Sequence, residues 1–302
     1  MSLLIYAYVS LRLALQWLPY NWWQIVYVIS RWIVALYFLG WLVTLFAIDT
    51  TTVLPSTNGS NATVITYHPL KRLIFLTNWG FLTWNVYLFI AAVACTVKMV
   101  FWIWNTTHGK REPELDPADH LHSVVVTWSE DRVAWYQKVQ WVCYSAIIPL
   151  QFAVVILYWT IILPFTSNIY NALNFHVHLL NGVFAAIDLF TSGVVVSIYH
   201  IYGIIFIGAI YVIFSGIYDA FGGTNVREEP YIYNVLDYTG SPGLAVGLAL
   251  ATVLVFVPIL YLITYAVAAL RRWLTHKCRA KCCYDDSGNS DIGESVVPLR
   301  TV

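Results

Sequence analysis

The chain reads as an all-α polytopic membrane protein, a bundle of six transmembrane helices with an N-terminal interfacial helix. Three observations predict this. The 302 residues are 59% hydrophobic and 11% charged, against roughly 45–50% and about 25% in a soluble domain. Six apolar runs approach or exceed the length of about 20 residues that a hydrocarbon core requires. Those runs lack strict alternation, and in lipid every backbone hydrogen bond has to close within the segment, so helices are favoured over a barrel. Sixteen basic residues balance sixteen acidic ones, so there is no basic footprint for nucleic acid. Soluble Rossmann, barrel and sandwich folds are excluded.

Residues 1–29 form an N-terminal segment, apolar from Leu3 to Tyr27 but interrupted by Arg12, Gln16, Pro19, Asn21 and Gln24. It reads as an aromatic helix in the interface, with a seventh span as the alternative, and no small-residue cleavage site marks a signal peptide. Residues 30–270 make up the transmembrane domain, with spans expected at 30–48, 73–103, 140–163, 172–195, 198–220 and 243–270. Between the second and third, Glu112–Asp131 is polar and broken by Pro113 and Pro117, which reads as a loop. Residues 271–302 turn to Asp, Ser, Gly and Asn after Lys277 and read as a cytosolic, largely disordered tail. No internal repeat is evident, which counts against a duplicated transporter fold.

Basic residues are retained on the cytosolic side of a membrane. Arg12 and Arg31 flank the first span, Lys110, Arg111, Arg132 and Lys138 lie in the second connection, and Arg271, Arg272, Lys277, Arg279 and Lys281 follow the last span. Alternate connections carry only Lys71, Arg72 and Arg227. Six spans then place both termini in the cytosol. The first outer loop holds glycosylation sequons at Asn58 and Asn61, which fits, whereas the sequon at Asn105 falls on the cytosolic side. None of the five cysteines is in an outer loop, so no disulfide is expected. Cys278, Cys282 and Cys283, beside a basic cluster, are candidates for palmitoylation; a zinc site lacks the paired spacing, and unmodified thiols are the default. No metal or other cofactor is expected.

Polar groups at bilayer depth cost about 2–3 kcal/mol or more each and demand a partner or a function. In the fourth span Asn174, His178 and Asn181 share one helical face, and Asp188 returns close to it. His176 lies about 200° around the helix from His178, so the two cannot both line one pocket unless the helix is irregular there. The second span supplies Thr77, Asn78, Thr83 and Asn85 near its start. Thr77 and His178 are expected at matching depth, where an imidazole takes the proton of a hydroxyl as that hydroxyl attacks a carbonyl. Taken singly, a membrane Thr usually bonds back to its own backbone and a membrane His usually fixes packing. The connection after the fifth span, from Tyr218 through Gly222-Gly223 to Tyr238, reads as an ordered cap over the outer mouth, or as an interfacial loop without a ligand. Asp219 and Asp237 in it are candidates to steady His178.

The segments WIVALYFLGWLV, FLTNWGFLTWNVYL, HLLNGVFAAIDLF, IYDAFGGTN, YIYNVLDY and PG, in that order over about residues 25–270, resemble the rolling stone family of animal multi-pass membrane proteins. That family is associated with myoblast fusion and muscle development. A more distant resemblance is to the androgen-induced intramembrane threonine hydrolases, which cleave fatty-acid esters of hydroxy fatty acids. By that resemblance Phe75-Leu76-Thr77 supplies the nucleophile, and Asn174-Phe175-His176-Val177-His178 the base, His178. Asp188 matches an acidic residue ten places on. Phe175 stands where the hydrolases have a first His, which puts that residue's role in doubt but not the pair.

Three readings follow. The first is a lipid-ester hydrolase using Thr77 and His178, with Asn78 or Asn174 donating to the oxyanion and His176, Asn181 and Asp188 in support. The second is a non-enzymatic protein of cell–cell fusion or adhesion whose outer loops and tail recruit protein partners. The third is a proton-coupled carrier using His178 and Asp188. All three place the chain in the plasma membrane or endoplasmic reticulum, among membrane lipids.

Overall fold

In a computed structural model, residues 22–47, 50–54, 63–67, 69–108, 135–162 and 172–286 are described. Six long helices among them are apolar enough to span a membrane. The chain is an all-α integral membrane bundle. Asn58 and Asn61 lie outside the described residues, as do residues 1–21.

Helix α1, Trp22–Ala47, is 26 residues long, about 39 Å at 1.5 Å per residue. It starts eight residues before the expected boundary at 30, so residues 22–29 continue the first span rather than forming a separate interfacial segment. Gln24, Ser30 and Arg31 do not break the helix because its apolar run continues on either side, and Arg31 finds partners inside the bundle. A short antiparallel hairpin follows, which the sequence reading did not anticipate: β1, Thr50–Leu54, pairs with β2, Thr63–Tyr67, from Thr50 opposite Tyr67 to Leu54 opposite Thr63. TTTVL and TVITY are rich in β-branched residues, which suit a pleated strand.

A 3-10 turn, Pro69–Ile74, leads into α2, Leu76–Thr107. Helix α3, Trp135–Leu157, holds Pro149 in its interior and ends in a π turn, Tyr158–Ile162. Helix α4 spans Ala172–Thr191 and contains a π turn at His176–Leu180. Helix α5 spans Ile198–Ala220. Helix α6 is made of Pro242–Ala251, a π turn Thr252–Phe256 and Val257–Asp286. Its last turns overrun the expected end of the span at 270: residues 271–286 continue the helix, where a disordered tail was expected. Lys277 lies over the Trp273 ring at 4.3 Å, a contact at helical spacing four that supports this extension. Cys278, Cys282 and Cys283 fall in this stretch, with side chains outside the described set.

Two ends follow from this order. The hairpin end carries β1–β2, the end of α3, the start of α4 and the α5–α6 loop; the termini end carries the start of α1 and the end of α6. Helix α3 is the hub, packed against α2, α4, α5 and α6, while α1 packs on α2. Phe38, Phe81, Trp84, Tyr87, Tyr144 and Tyr261 are buried at the centre, whereas Ile33, Tyr202, Phe206 and Leu254 face outward, as a lipid-solvated surface requires.

Small residues bring α3 close to both neighbours. A Cβ added at Gly80 of α2 would lie 2.9 Å from Val154 Cγ2, and one at Gly182 of α4 would lie 2.5 Å from Val155 Cγ2. In lipid, where apolar burial does not drive helices together, close approach of this kind supplies the packing. Gln151 completes the layer: its Nε2 donates to the Gly80 carbonyl at 3.1 Å, and its Oε1 accepts from Asn181 Nδ2 at 2.9 Å. The buried amide thereby fixes α2 and α4 in register on α3.

Candidate functional site at the hairpin end

Thr77 and His178 each lie three residues from that layer, Thr77 before Gly80 and His178 before Asn181, on its hairpin side. Both are buried, and α2 is adjacent to the π turn that carries His178. Thr77 stands in the first turn of α2 rather than one or two turns inside, because the 3-10 turn takes up residues 69–74. The His178 ring stacks face to face on Tyr158, with centroids 3.5 Å apart and planes 2° from parallel. Its Nδ1 is buried without a hydrogen-bond partner among the described residues. Trp159 Nε1 donates to the His178 carbonyl at 2.9 Å. This contact serves a carbonyl that the π turn leaves outside the regular helical ladder.

His176 is on another face, stacked on Trp41 at 3.6 Å. Its Nε2 is 2.6 Å from the Tyr37 hydroxyl and its Nδ1 2.6 Å from the Ala172 carbonyl. The carbonyl can only accept, so Nδ1 carries the proton and Tyr37 donates to Nε2. His176 therefore ties α4 to α1, and the irregular helix does not bring the two histidines into one pocket.

The expected supporting residues are redistributed. Asn78 donates one amide hydrogen to the Arg72 carbonyl at 2.6 Å, which ties its side chain to the 3-10 turn and leaves one N–H for another acceptor. Asn181 belongs to the Gln151 layer and accepts from the Gly182 N–H at 2.9 Å. Asn174 is half-buried on the first turn of α4. Asp219 accepts from Thr239 at 3.4 Å and Asp237 from the Gly240 N–H at 2.7 Å. Both acidic residues hold the α5–α6 loop and neither meets His178.

Asp188 is the clearest departure. It lies sixteen residues into α4, toward the termini end, with one oxygen accepting from Arg31 and the other from Tyr87. Arg31 also donates to the Tyr27 hydroxyl, from Nε at 3.0 Å and Nη2 at 2.6 Å. Arg271 donates to the carbonyls of Leu189 and Val194, where α4 ends, a favourable place for a cation. Both Asp188 oxygens are engaged in this lock on α1, α2 and α4, and the acid–base pair with His178 that a proton carrier needs is not formed.

The α5–α6 loop, residues 221–241, does reach the site. Its Tyr233 ring packs on Phe75 with centroids 5.6 Å apart. The Tyr233 hydroxyl is buried beside the Thr77 side chain, the Leu76 and Thr77 backbone and the Tyr211 hydroxyl, and completes a hydrogen bond with none of them. Burial holds this phenol up at about 12. Tyr233 and Tyr158 were not singled out from sequence. Only the run of tyrosines in the loop pointed toward the former.

A groove of about 510 Å³ runs between α3, α4 and α6, lined by Phe152, Leu179, Gly182, Leu189, Leu260 and Val267 among others. It begins one residue past His178 and is almost wholly apolar.

No family model matches the chain, and no solved structure matches it. Over 216 residues, 70% of its length, the chain is 22% identical to the protein named rolling stone of Drosophila melanogaster. The match spans 66% of that protein, just under two thirds. This supports a distant relationship to rolling stone.

Proposed function

We propose that this protein is an intramembrane hydrolase of lipid esters, in which Thr77 is the nucleophile and His178 the general base. One observation supports the reading: a buried imidazole with an unpartnered ring nitrogen is carried by a π turn that packs against α2, the helix whose first turn holds the buried Thr77. Thr77 Oγ bonds to the acyl carbon while its proton passes to His178. The tetrahedral intermediate collapses, the bond to the alcohol oxygen breaks, and that oxygen takes the proton from His178. A water molecule, deprotonated by the same imidazole, then attacks the acyl-threonine; the bond to Thr77 Oγ breaks, that oxygen takes the proton back from His178, and the fatty acid leaves. The apolar groove beside Leu179 takes the acyl chain, with hydroxy-fatty-acid esters as the substrate class. Both termini are assigned to the cytosol from the basic residues around 110–138 and 271–281, in the plasma membrane or endoplasmic reticulum.

The test is hydrolysis of hydroxy-fatty-acid esters by the purified protein, together with labelling by a fluorophosphonate probe. Thr77→Ala and His178→Ala are each expected to reduce both to background with the fold intact. Equal turnover or labelling in the wild type and both variants rejects the reading.

The similarity to rolling stone favours a second reading, a non-enzymatic role in cell–cell fusion such as that of myoblasts, with protein partners at the outer loops. In a fusion assay this reading expects Thr77 and His178 variants to remain active and changes within Asp219–Tyr238 to abolish activity. The opposite pattern rejects it.

A further inference from the structure

An ester hydrolase must stabilise the negative charge that forms on the carbonyl oxygen, and the Asn78 side chain is drawn toward the Arg72 carbonyl by one of its two amide hydrogens. A different donor stands directly beside Thr77. The α5–α6 loop is fastened at several points that together aim one hydroxyl at Thr77. Asn225 Oδ1 accepts from the N–H groups of Arg227 and Glu229 at 2.7 and 3.2 Å. Glu228 sits in the left-handed region at φ 60° within that turn. Lys71 reaches from the 3-10 turn to the Thr224 hydroxyl at 3.2 Å. Farther along, the hydroxyls of Tyr238 and Ser215 of α5 are 2.8 Å apart, and the Leu236 N–H donates to the Tyr233 carbonyl at 2.8 Å.

Held in this way, Tyr233 keeps its hydroxyl buried over the first turn of α2, close to the Thr77 side chain and the Leu76 and Thr77 backbone, with no hydrogen bond of full geometry closed. Its neighbour Tyr211 donates to the Ile74 carbonyl at 2.8 Å, so that hydroxyl is already occupied. A buried donor left unmade is costly and requires an explanation. An acceptor arriving at Thr77 removes the cost, and the neighbouring start of a 32-residue helix favours a negative one.

We propose that Tyr233 is the oxyanion donor of the Thr77 reaction. As Thr77 Oγ bonds to the acyl carbon, the carbonyl π pair moves onto oxygen, and that oxygen accepts a hydrogen bond from the Tyr233 O–H without taking its proton. On collapse the pair returns and the hydrogen bond weakens. Burial keeps the phenol protonated across the working pH range, so the donor is always present. This inference rests on the hydrolase reading above.

Tyr233→Phe keeps the ring and its contact with Phe75 and removes only the O–H. Kinetics on a hydroxy-fatty-acid ester are expected to show kcat lower by roughly 100-fold, the scale for loss of one oxyanion donor, with KM unchanged. The melting temperature is expected to hold or rise, because an unsatisfied buried donor has been removed. Unchanged kcat in Tyr233→Phe, while Thr77→Ala and His178→Ala are inactive, overturns the role of Tyr233 and leaves the hydrolase reading standing. A rise in KM at constant kcat marks a contact with the bound ester alone and also overturns it. A wild-type protein that neither turns over ester nor labels at Thr77 overturns both. Should Tyr233→Phe fold poorly, active-site titration with the fluorophosphonate corrects kcat for the folded fraction, and the same criterion applies.

Discussion

Removing the Asp188 carboxylate should destabilise the bundle more than any surface change, and the size of the effect can be worked from its contacts. Asp188 and Arg31 are 4% and 9% exposed. Asp188→Ala leaves the guanidinium charged and buried, with Tyr27 as its remaining partner and the Tyr27 ring 5.0 Å away. Breaking a buried pair from one side costs about 3–5 kcal/mol. Tyr87 loses its acceptor in the same substitution, a further ~1–3 kcal/mol that is not additive because both contacts share one carboxylate. An overall loss of about 4–5 kcal/mol is therefore expected. The double variant Arg31→Met with Asp188→Leu removes both charges and should recover to within about 2 kcal/mol of the wild type, since apolar replacement of a buried pair is often neutral or better. Reversible unfolding in detergent, followed by tryptophan fluorescence, measures all three proteins. A single variant within about 1 kcal/mol of the wild type, or a double variant no better than the single one, refutes the reasoning.

Gly182→Ala should cost about 1–3 kcal/mol in the same assay, because the new methyl meets Val155 Cγ2 at 2.5 Å and α4 must retreat from α3; trimming the partner with Val155→Ala should recover most of the loss. Ala186→Phe fills the groove between α3, α4 and α6, so turnover of long-chain esters is expected to fall while that of short-chain esters persists, and a uniform effect across chain lengths would remove the groove from substrate binding. Tyr233 ionises near 10 when unfolded and at about 12 when folded, so its contribution is complete below pH 10 and is lost as pH rises toward 12; the gap corresponds to roughly 3 kcal/mol, and Tyr233→Phe should flatten the alkaline fall of stability relative to the wild type. If the termini are cytosolic, Asn58 and Asn61 are glycosylated and Asn105 is not, which endoglycosidase shifts of single Asn→Gln variants will read; a glycan on Asn105 reverses the orientation.

What was legible in the sequence was set by solvent. Lipid forces long apolar runs into helices, so the six spans could be found from composition, with ends displaced by several residues. Those ends depended on tertiary partners: Arg31 looks like a span boundary until Asp188 is seen to neutralise it, and in a charge-poor chain an acidic residue in one span is itself a signal for a basic residue in another. The three-residue spacing that separates Thr77 from Gly80 and His178 from Asn181 was legible. Azimuth was not. The π turn at His176–Leu180 alters the facing of every later residue relative to an ideal helix, so the stripe from His178 to Asp188 resolves into one residue stacked on α3 and another paired to α1 and α2. The approach of Tyr233 depends on a loop fold that no helical periodicity encodes.

The two ends of the bundle differ in how their polar groups are used, and the difference bears on where chemistry can occur. Toward the termini end, both Asp188 oxygens and the Nε and Nη2 of Arg31 are engaged, and Arg271 spends both terminal nitrogens on the end of α4, leaving its Nε unpaired. Such a network resists rearrangement, because moving any helix strands a charge in hydrocarbon. At the hairpin end the imidazole Nδ1 of His178 and the hydroxyl of Tyr233, the latter beside Thr77, have no hydrogen-bond partner among the described residues. Neither group carries a charge that must be neutralised, so each can wait for an acceptor or donor at a cost of about 1–3 kcal/mol. A bound ester repays that cost as the transition state forms, when its carbonyl oxygen accepts and the Thr77 hydroxyl gives up a proton. The rigid half holds the helices in register so that the unsatisfied half can stay preorganised, and loosening the Arg31–Asp188 lock should lower kcat through misplacement of Thr77 and His178 even in the fraction that remains folded.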